Sequence, residues 1–425
     1  MLKKHHYWLG LFWLAVLFVL PAPLIVTVAL GLKGTLNQSA IFGSQVGTIA
    51  YVWMLLVTVL SEKPRWLDRL IGLPEVYFLH GMVGIMAIVL AFWHSLLLQS
   101  DGLILLTGNT ALYLFIAVAL YSVFFLSSWL TSRSRSLNNL KNVLEKVFRY
   151  EVSIWLHRLN IVGILLVFGH VILISYITAI PTYMFWFYLY SGVTAIVYIS
   201  LHLIKPLAFM SGTLISSQKL ADNVTELIVQ LKHKGDFRAG DFVFISFPDD
   251  ADLKETHPFS ILQYDRQKKT LTFAIRNYSD FTLKLDQVKL NSRVRIDGGY
   301  GRLYESMEEH MDQPLVMIGS GIGSVPLIAL VLHFVNKKEI IFVRVAHEAQ
   351  DLIYESFLKK LGHDYPNFTY YSQVGRLSEE QIQQLINKNS YYLVGGSNLM
   401  MRGTMGLLRK NGVKSGNIYG EKFSF

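Results

Sequence analysis

The sequence predicts a multi-domain membrane protein: a bundle of six transmembrane helices, then an antiparallel β-barrel, then an α/β nucleotide-binding domain. Three observations carry this. Of 425 residues 52% are hydrophobic and only 16% charged, too apolar for an ordinary soluble chain and long enough for more than one domain. Six apolar runs of roughly 20 residues, each long enough to cross a bilayer, fall in the first half. After Lys205 and Pro206 the apolar runs shorten and charge density rises, which sets the expected domains at 1–210, 211–312 and 313–425.

The spans are expected near 7–31, 44–61, 74–98, 110–130, 151–178 and 183–204. The first is longer than a signal h-region and is followed by further spans, so it stays in the mature protein. Loop charge alternates. Lys3 and Lys4, then Lys63, Arg65 and Arg69, then Arg133, Arg135, Lys141, Lys146 and Arg149 mark one side, whereas the opposite loops hold only Lys33. By the positive-inside rule both termini are cytoplasmic. The short N-terminus and minimal loops point to a bacterial plasma membrane. With no regulatory domain ahead of the spans and no EF-hand pattern, constitutive activity without an obligatory regulatory subunit is expected.

The net charge of +9 does not indicate a nucleic-acid partner: residues 1–210 hold 13 Lys+Arg against 6 Asp+Glu and the remainder 26 against 24, so the excess belongs to the hydrophobic half. Cysteine is absent. That excludes disulfides, thiolate zinc sites, cysteine-ligated iron–sulfur clusters and covalently attached haem.

In the second half, ELIVQL, DFVFISF, TLTFAIR and RVRI read as short strands separated by Gly, Asp and Asn, an antiparallel barrel from about 216 to 310. From Gln313 the pattern changes. PLVMIGSG, EIIFVRVA, FTYYSQV and YYLVGG alternate with helical stretches such as QDLIYESFLKKL and SEEQIQQLINK, as in a parallel nucleotide-binding sheet.

Four histidines stand in the apolar half. His80 and His94 are 14 residues apart, which on an ideal helix is within about 40° of four full turns and a rise of about 21 Å, so they share a face. His157 and His170 are 13 apart, a rise of about 19.5 Å but about 140° out of phase. Local overwinding, or ligands reaching from the flanks, must absorb the difference. The third and fifth helices run in the same direction, so His80 should face His157 near the cytoplasmic side and His94 should face His170 near the outside. Two imidazoles at each of two depths are what two bis-histidine haems require, and Gly81, Gly84, Gly163 and Gly169 leave room for a macrocycle. His5, His6 and His202 lie at span ends and read as interfacial.

With these spacings the chain resembles the NADPH oxidase and ferric reductase superfamily over nearly its whole length. The resemblance implies a ferredoxin-reductase-like module after the haem bundle. It also implies FAD, two haems b and NADPH as cofactors, with dioxygen reduced to superoxide or a ferric chelate reduced outside the cell. THPFSI, 256–261, resembles the family's flavin signature, which implies cofactor contacts from His257, Pro258, Phe259 and Ser260, with Ser260 beside the isoalloxazine ring. RNYS, 276–279, matches the R-x-Y-S motif of soluble reductases, but its place about 20 residues later makes it the second flavin segment, with Arg276 suited to the pyrophosphate and Thr282 at the family's threonine. GGYGR, 298–302, resembles the G-P-[FY]-G turn and brings in Gly299 and Gly301, with Gly for Pro.

GSGIGSVP, 319–326, follows a strand and opens a helix, so Gly319, Gly321, Ile322 and Gly323, with Pro326 behind them, would let a pyrophosphate approach the helix N-terminus. VGGSNLM, 394–400, resembles the family's C-G-P-x-x-M segment beside the nicotinamide; Gly395, Gly396 and Met400 are carried over, with Val394 in place of cysteine and Gly396 in place of proline. The choice of NADPH over NADH rests on Arg376 in GRLS, with Arg344 as second candidate and Glu348 opposing. Phe425 ends an aromatic terminus expected to cover the flavin. The rival from another class is a transport or structural membrane protein whose histidines relay protons, and a reduced-haem absorption band would dismiss it.

Overall fold

Pro21 breaks the first apolar run into α1 (His6–Val19) and α2 (Ala22–Leu32), where a single helix was expected. Proline has no N–H to give the carbonyl four residues back, and its ring crowds that turn. The orphaned Leu17 carbonyl is satisfied instead by the indole N–H of Trp53 at 2.9 Å. The computed structural model describes residues 6–125, 155–204 and 209–421. The chain forms two compact units, Met1–Glu62 with Tyr77–Leu203, and Lys63–Val76 with Ile204–Phe425.

The first unit continues with α3 (Ile41–Ser61), α5 (Leu73–Leu97), α6 (Gly102–Phe125), α7 (Asn160–Leu173), a single turn α8 (Ser175–Thr178) and α9 (Pro181–Ile199). Among the described residues, six helical segments are long and apolar enough to cross a membrane by length and composition. Helix α6 begins at Gly102, eight residues before the expected start, because LILLTGN continues the helical pattern. The expected ends of the fourth span and the start of the fifth, with the basic run from Arg133 to Arg149, lie outside the described residues. Leu24, Val28 and Leu32 pack on Tyr51, Val52 and Leu55 and on Tyr183, Met184 and Phe187, so α3 is the most enclosed helix.

In the second unit β1 (Met210–Ala221), β2 (Val224–Leu231), β3 (Phe242–Ser246), β4 (His257–Asp265), β5 (Thr270–Arg276) and β6 (Arg293–Tyr300) close into an antiparallel barrel of order β1-β2-β5-β4-β3-β6. Its interior is filled by Leu214, Leu227, Val229, Val243, Ile245, Leu271, Phe273, Val294 and Ile296. Burial of each such side chain is worth about 1.5–3 kcal/mol. Strand β7 (Leu315–Ser320) is the centre of a parallel sheet with β8 (Ile340–Ala346), β9 (Phe368–Val374), β10 (Tyr391–Gly395) and β11 (Ile418–Tyr419), in the order β11-β10-β7-β8-β9. The order reverses between β7 and β10, the switch point where open α/β sheets take their ligands.

The loop helix α4 (Arg65–Ile71) was not expected from sequence, and its residues belong to the second unit. Arg69 donates to both carboxylate oxygens of buried Asp241 at 2.7 Å and to the carbonyls of Gly299 and Gly301.

Candidate functional site

The four histidines meet in two pairs. His80 of α5 lies 5.8 Å, ring centre to ring centre, from His157, and His94 lies 6.2 Å from His170. The phase gap between His157 and His170 is narrowed locally. Arg158, Leu159 and Ile161 donate their backbone N–H groups three residues back rather than four, to Trp155, Leu156 and Arg158. The four steps from His157 to Ile161 lie between the two histidines; at about 20° each they add about 80° of winding and leave roughly 60° to be absorbed by the reach of the side chains.

Each ring has one nitrogen already engaged. Nδ1 of His80 meets the Val57 carbonyl at 2.9 Å, that of His94 the Gly43 carbonyl at 2.8 Å, that of His170 the Ile104 carbonyl at 2.9 Å, and that of His157 the Ser122 hydroxyl at 2.9 Å. A carbonyl can only accept, so Nδ1 carries the proton in His80, His94 and His170 and their Nε2 holds a free lone pair. Such a partner on the far nitrogen is what orients imidazole ligands at metal centres. These acceptors lie in other segments of the chain and carry no side-chain signal that sequence reasoning could find. Gly47 and Gly108 complete the outer pair, since a Cβ at either would stand 2.6 Å from His94 Nδ1 or 3.0 Å from His170 Cε1.

On the barrel, β4 sets the HPFS residues against β3, with Ser260 opposite Phe242 and Phe259 opposite Val243. His257 stacks on Phe281 at 4.0 Å, and Phe259 lies 6.0 Å from the same ring. Thr282, expected at the cofactor, spends its hydroxyl locally: it accepts from the backbone N–H of Tyr278 and Ser279 and closes the capping box of helix α10 (Asp280–Lys284). Arg276 ends β5, and its Nη2 donates to Asp351 of the nucleotide domain. Its Nη1 lies 3.8 Å from the position a Cβ on Gly321 would take.

The glycine turn and the 394–400 segment interlock at the switch point. Gly319 pairs with Gly395 across β7 and β10, and a Cβ on Gly323 would stand 2.6 Å from the Cα of Gly396. Gly321 has φ +51°, a left-handed conformation that suits glycine. Ile322 lies within the turn, and Pro326 sits in the first turn of α12 (Val325–Phe334), where its missing N–H costs nothing. Val394 is buried in β10, and Met400 lies in α15 (Asn398–Lys410), whose N-cap is Ser397.

One expectation needs correction. Arg344 is fully buried; its Nε donates to the Ser324 hydroxyl at 3.1 Å and its Nη1 to the Ile353 carbonyl at 2.6 Å, so it braces the glycine turn and is not available to a ribose phosphate. Gly299 and Gly301 serve the docking of α4: their carbonyls accept from Arg69, and the Gly301 N–H donates to Asp68 at 2.8 Å. Arg376 and Glu348 are both exposed, each in the loop following a strand, β9 and β8 respectively. Phe425 lies outside the described residues.

Beside the docked helix, burial pushes the Glu421 carboxyl up to about 8, helped by the negative charge of Asp68, while the backbone N–H of Arg302 pulls it down. Burial likewise pushes Asp241 up to about 6, against the pull of Arg69.

Residues 209–323 match the FAD-binding domain family. The dihydroorotate dehydrogenase B (NAD(+)) electron transfer subunit of Fusobacterium nucleatum is 29% identical over 143 residues, 32% of this chain and 55% of that protein. The phenol hydroxylase P5 protein of Acinetobacter pittii is 24% identical over 163 residues, 37% of this chain and 45% of that one. The chain spans about half the length of the curated relatives it matches. Among solved structures, the cytochrome P450 reductase GcoB of Amycolatopsis is similar with a TM-score of 0.45 and 18% identity, over 51% of this chain and 69% of that one. Residues 209–323, which run from the barrel into the first strand and glycine turn of the parallel sheet, are therefore an FAD-binding domain.

Proposed function

We propose that the chain is a transmembrane oxidoreductase that carries electrons from NADPH through FAD and two haems b to dioxygen on the outer face, forming superoxide. The observation that carries this reading is the pair of histidine pairs. Ring centres 5.8 and 6.2 Å apart suit an iron between them, since two metal–nitrogen bonds of about 2 Å and two ring radii make roughly 6 Å. The donor set fits as well, because bonds at Nδ1 to backbone carbonyls leave Nε2 unprotonated in His80, His94 and His170. A Cβ on Gly81, Gly84 or Gly169 would meet nothing within 4 Å, whereas Gly163, expected to leave room as well, is packed on Phe115, whose ring a Cβ would meet at 2.5 Å.

When bound, FAD takes a hydride and releases single electrons, and haem iron carries them one at a time. The protein's part is to hold and to exclude. His80 with His157 would hold one haem and His94 with His170 the other, and the haems would supply single-electron transfer towards dioxygen. Arg276 is suited to the flavin pyrophosphate, and Ser260 to the edge of the ring. The glycine turn at 319–323 offers backbone N–H groups at the N-terminus of α12 to the nucleotide pyrophosphate.

The test is superoxide-specific dye reduction by the purified chain given FAD and NADPH, alongside its reduced absorption spectrum. Superoxide with a haem band of two bis-histidine centres is expected. Reduction of ferric citrate with no superoxide would make the protein a ferric reductase, and a chain without a haem band would end the proposal.

A further inference from the structure

We propose that Asp351 is a positioning residue for the flavin: it holds one edge of the Arg276 guanidinium so that the other donors face the FAD pyrophosphate. This rests on Arg276 as the pyrophosphate residue. Asp351 ends the short 3-10 turn Ala349–Asp351 just past β8, and it is buried. The sequence predicts one helix from Gln350 onward, but helix α13 starts only at Glu355. The residues between turn back onto the barrel, with Tyr354 left-handed at φ +60°.

Two links tie this segment down. Arg276 Nη2 donates to Asp351, and the Tyr354 hydroxyl donates to Glu226 of β2. Apart from the contact with Arg276, Asp351 is thus anchored from its C-terminal side, three residues on, by Tyr354. Arg276 Nε is buried with no hydrogen-bond partner among the described residues, and Nη1 stands beside Gly321.

A buried donor without an acceptor is costly, and an anion bound at this arginine would satisfy Nε. The carboxylate could instead be a competitor for the flavin. The donors decide between these roles: Asp351 takes one N–H of Nη2, whereas the N–H groups of Nε and Nη1, which point from different edges, are not taken by it, and a guanidinium offers enough N–H groups for a carboxylate and an anion. Holding one edge also removes rotamer freedom that a long side chain would otherwise lose on binding.

The experiment measures FAD and riboflavin affinity by flavin fluorescence on the full-length purified chain after removal of bound flavin. Riboflavin lacks the phosphates, so it separates the anion contact from general loosening. Asp351→Asn should raise the Kd for FAD about tenfold, the loss of one well-placed charged hydrogen bond, and leave riboflavin unchanged. In an Arg276→Gln background it should add nothing. Tighter FAD binding by Asp351→Asn would make Asp351 a competitor, and equal weakening of FAD and riboflavin would make it merely structural; either overturns the proposal. If Asp351→Asn does not fold, Asp351→Glu, which keeps the charge and lengthens the arm, should show the same selective weakening at smaller size. Arg276→Gln with unchanged FAD affinity would instead overturn the pyrophosphate role of Arg276 on which the proposal stands.

Discussion

In the proposed nucleotide site Arg376 and Glu348 would pull nucleotide choice in opposite directions, one towards a ribose phosphate and the other towards a ribose hydroxyl. With Arg344 buried, Arg376 is the cation left from the two that sequence put forward. Arg376→Gln should raise KM for NADPH at least about tenfold, since a charge-assisted hydrogen bond is worth about 1.5–3 kcal/mol, and should leave KM for NADH within about twofold. Equal changes for both nucleotides would move the phosphate site elsewhere. Glu421 makes a separate prediction about stability. Its folded carboxyl keeps a proton to about pH 8 while the unfolded one releases it near 4.5. The folded state therefore binds more protons between those values, and stability falls as pH rises through that window. Glu421→Gln should flatten this fall, raising stability near pH 8.5 relative to the parent by up to a few kcal/mol, at about 1.4 kcal/mol per pKa unit. Thermal unfolding at pH 5 and pH 8.5 checks it, and an unchanged slope would mean that Glu421 does not carry it.

The helices test the outer histidine pair more sharply than a ligand substitution does, because the change lies outside the ligand set. Gly47→Val or Gly108→Val would place a side chain where the His94 or His170 ring now lies. Each should remove or disturb one of two haems, halving the haem absorption, while the His80 and His157 pair still takes electrons from NADPH. Retention of both haems at full occupancy would show that these close approaches are dispensable. Much at this scale was readable in the residues. TLTFAIR became β5 end to end, and the apolar runs became helices, because hydrophobic period and β-branched content act locally. What could not be read depends on partners distant in sequence. The overwound turn at 155–161 answers to the pairing of His157, and the late start of α13 answers to Glu226 and Arg276. Strand β1 escaped notice because MSGTLISSQKLA is polar enough to pass for a linker until β2 and β6 pair with it. Of the candidate site, the four histidines were legible as pairs from spacing alone, whereas the fate of Arg344 was not, since nothing in VRVA tells a buried brace from an exposed cation.

For the whole molecule, the proposal fixes a direction. Lys63, Arg65 and Arg69, counted in the positive-inside argument, also meet the flavin-bearing unit through Phe244, Asp297 and Asp241. On that proposal the basic side of the membrane would be the flavin side, and electrons would leave the cell. An electron moving out of a negative interior gains about 2.3 kcal/mol per 100 mV, so turnover should depolarise the membrane unless protons follow. In tight inside-out vesicles, NADPH added outside should be consumed while superoxide collects in the lumen. Product on the NADPH side alone would mean that the flavin leaks electrons directly.

The chain passes between its two units three times, after Glu62, after Val76 and before Ile204. A reductase module joined by a single linker is freed by one cut, but this one should not be. If a protease site is placed between Ile204 and Met210 and cleaved, the released fragment still grips the Arg65–Ile71 helix, which stays covalently part of the membrane piece, through Asp241, Gly299, Gly301 and Arg302. The protein should therefore behave as a split enzyme whose halves co-purify on a tag carried by the N-terminal fragment and keep turning over at dilution. Arg69→Ala in the cleaved protein leaves Asp241 buried and unpaired, a loss of about 3–5 kcal/mol, and should let the halves separate. Separation of the unsubstituted halves on cutting would show that the clasp contributes little to holding them together.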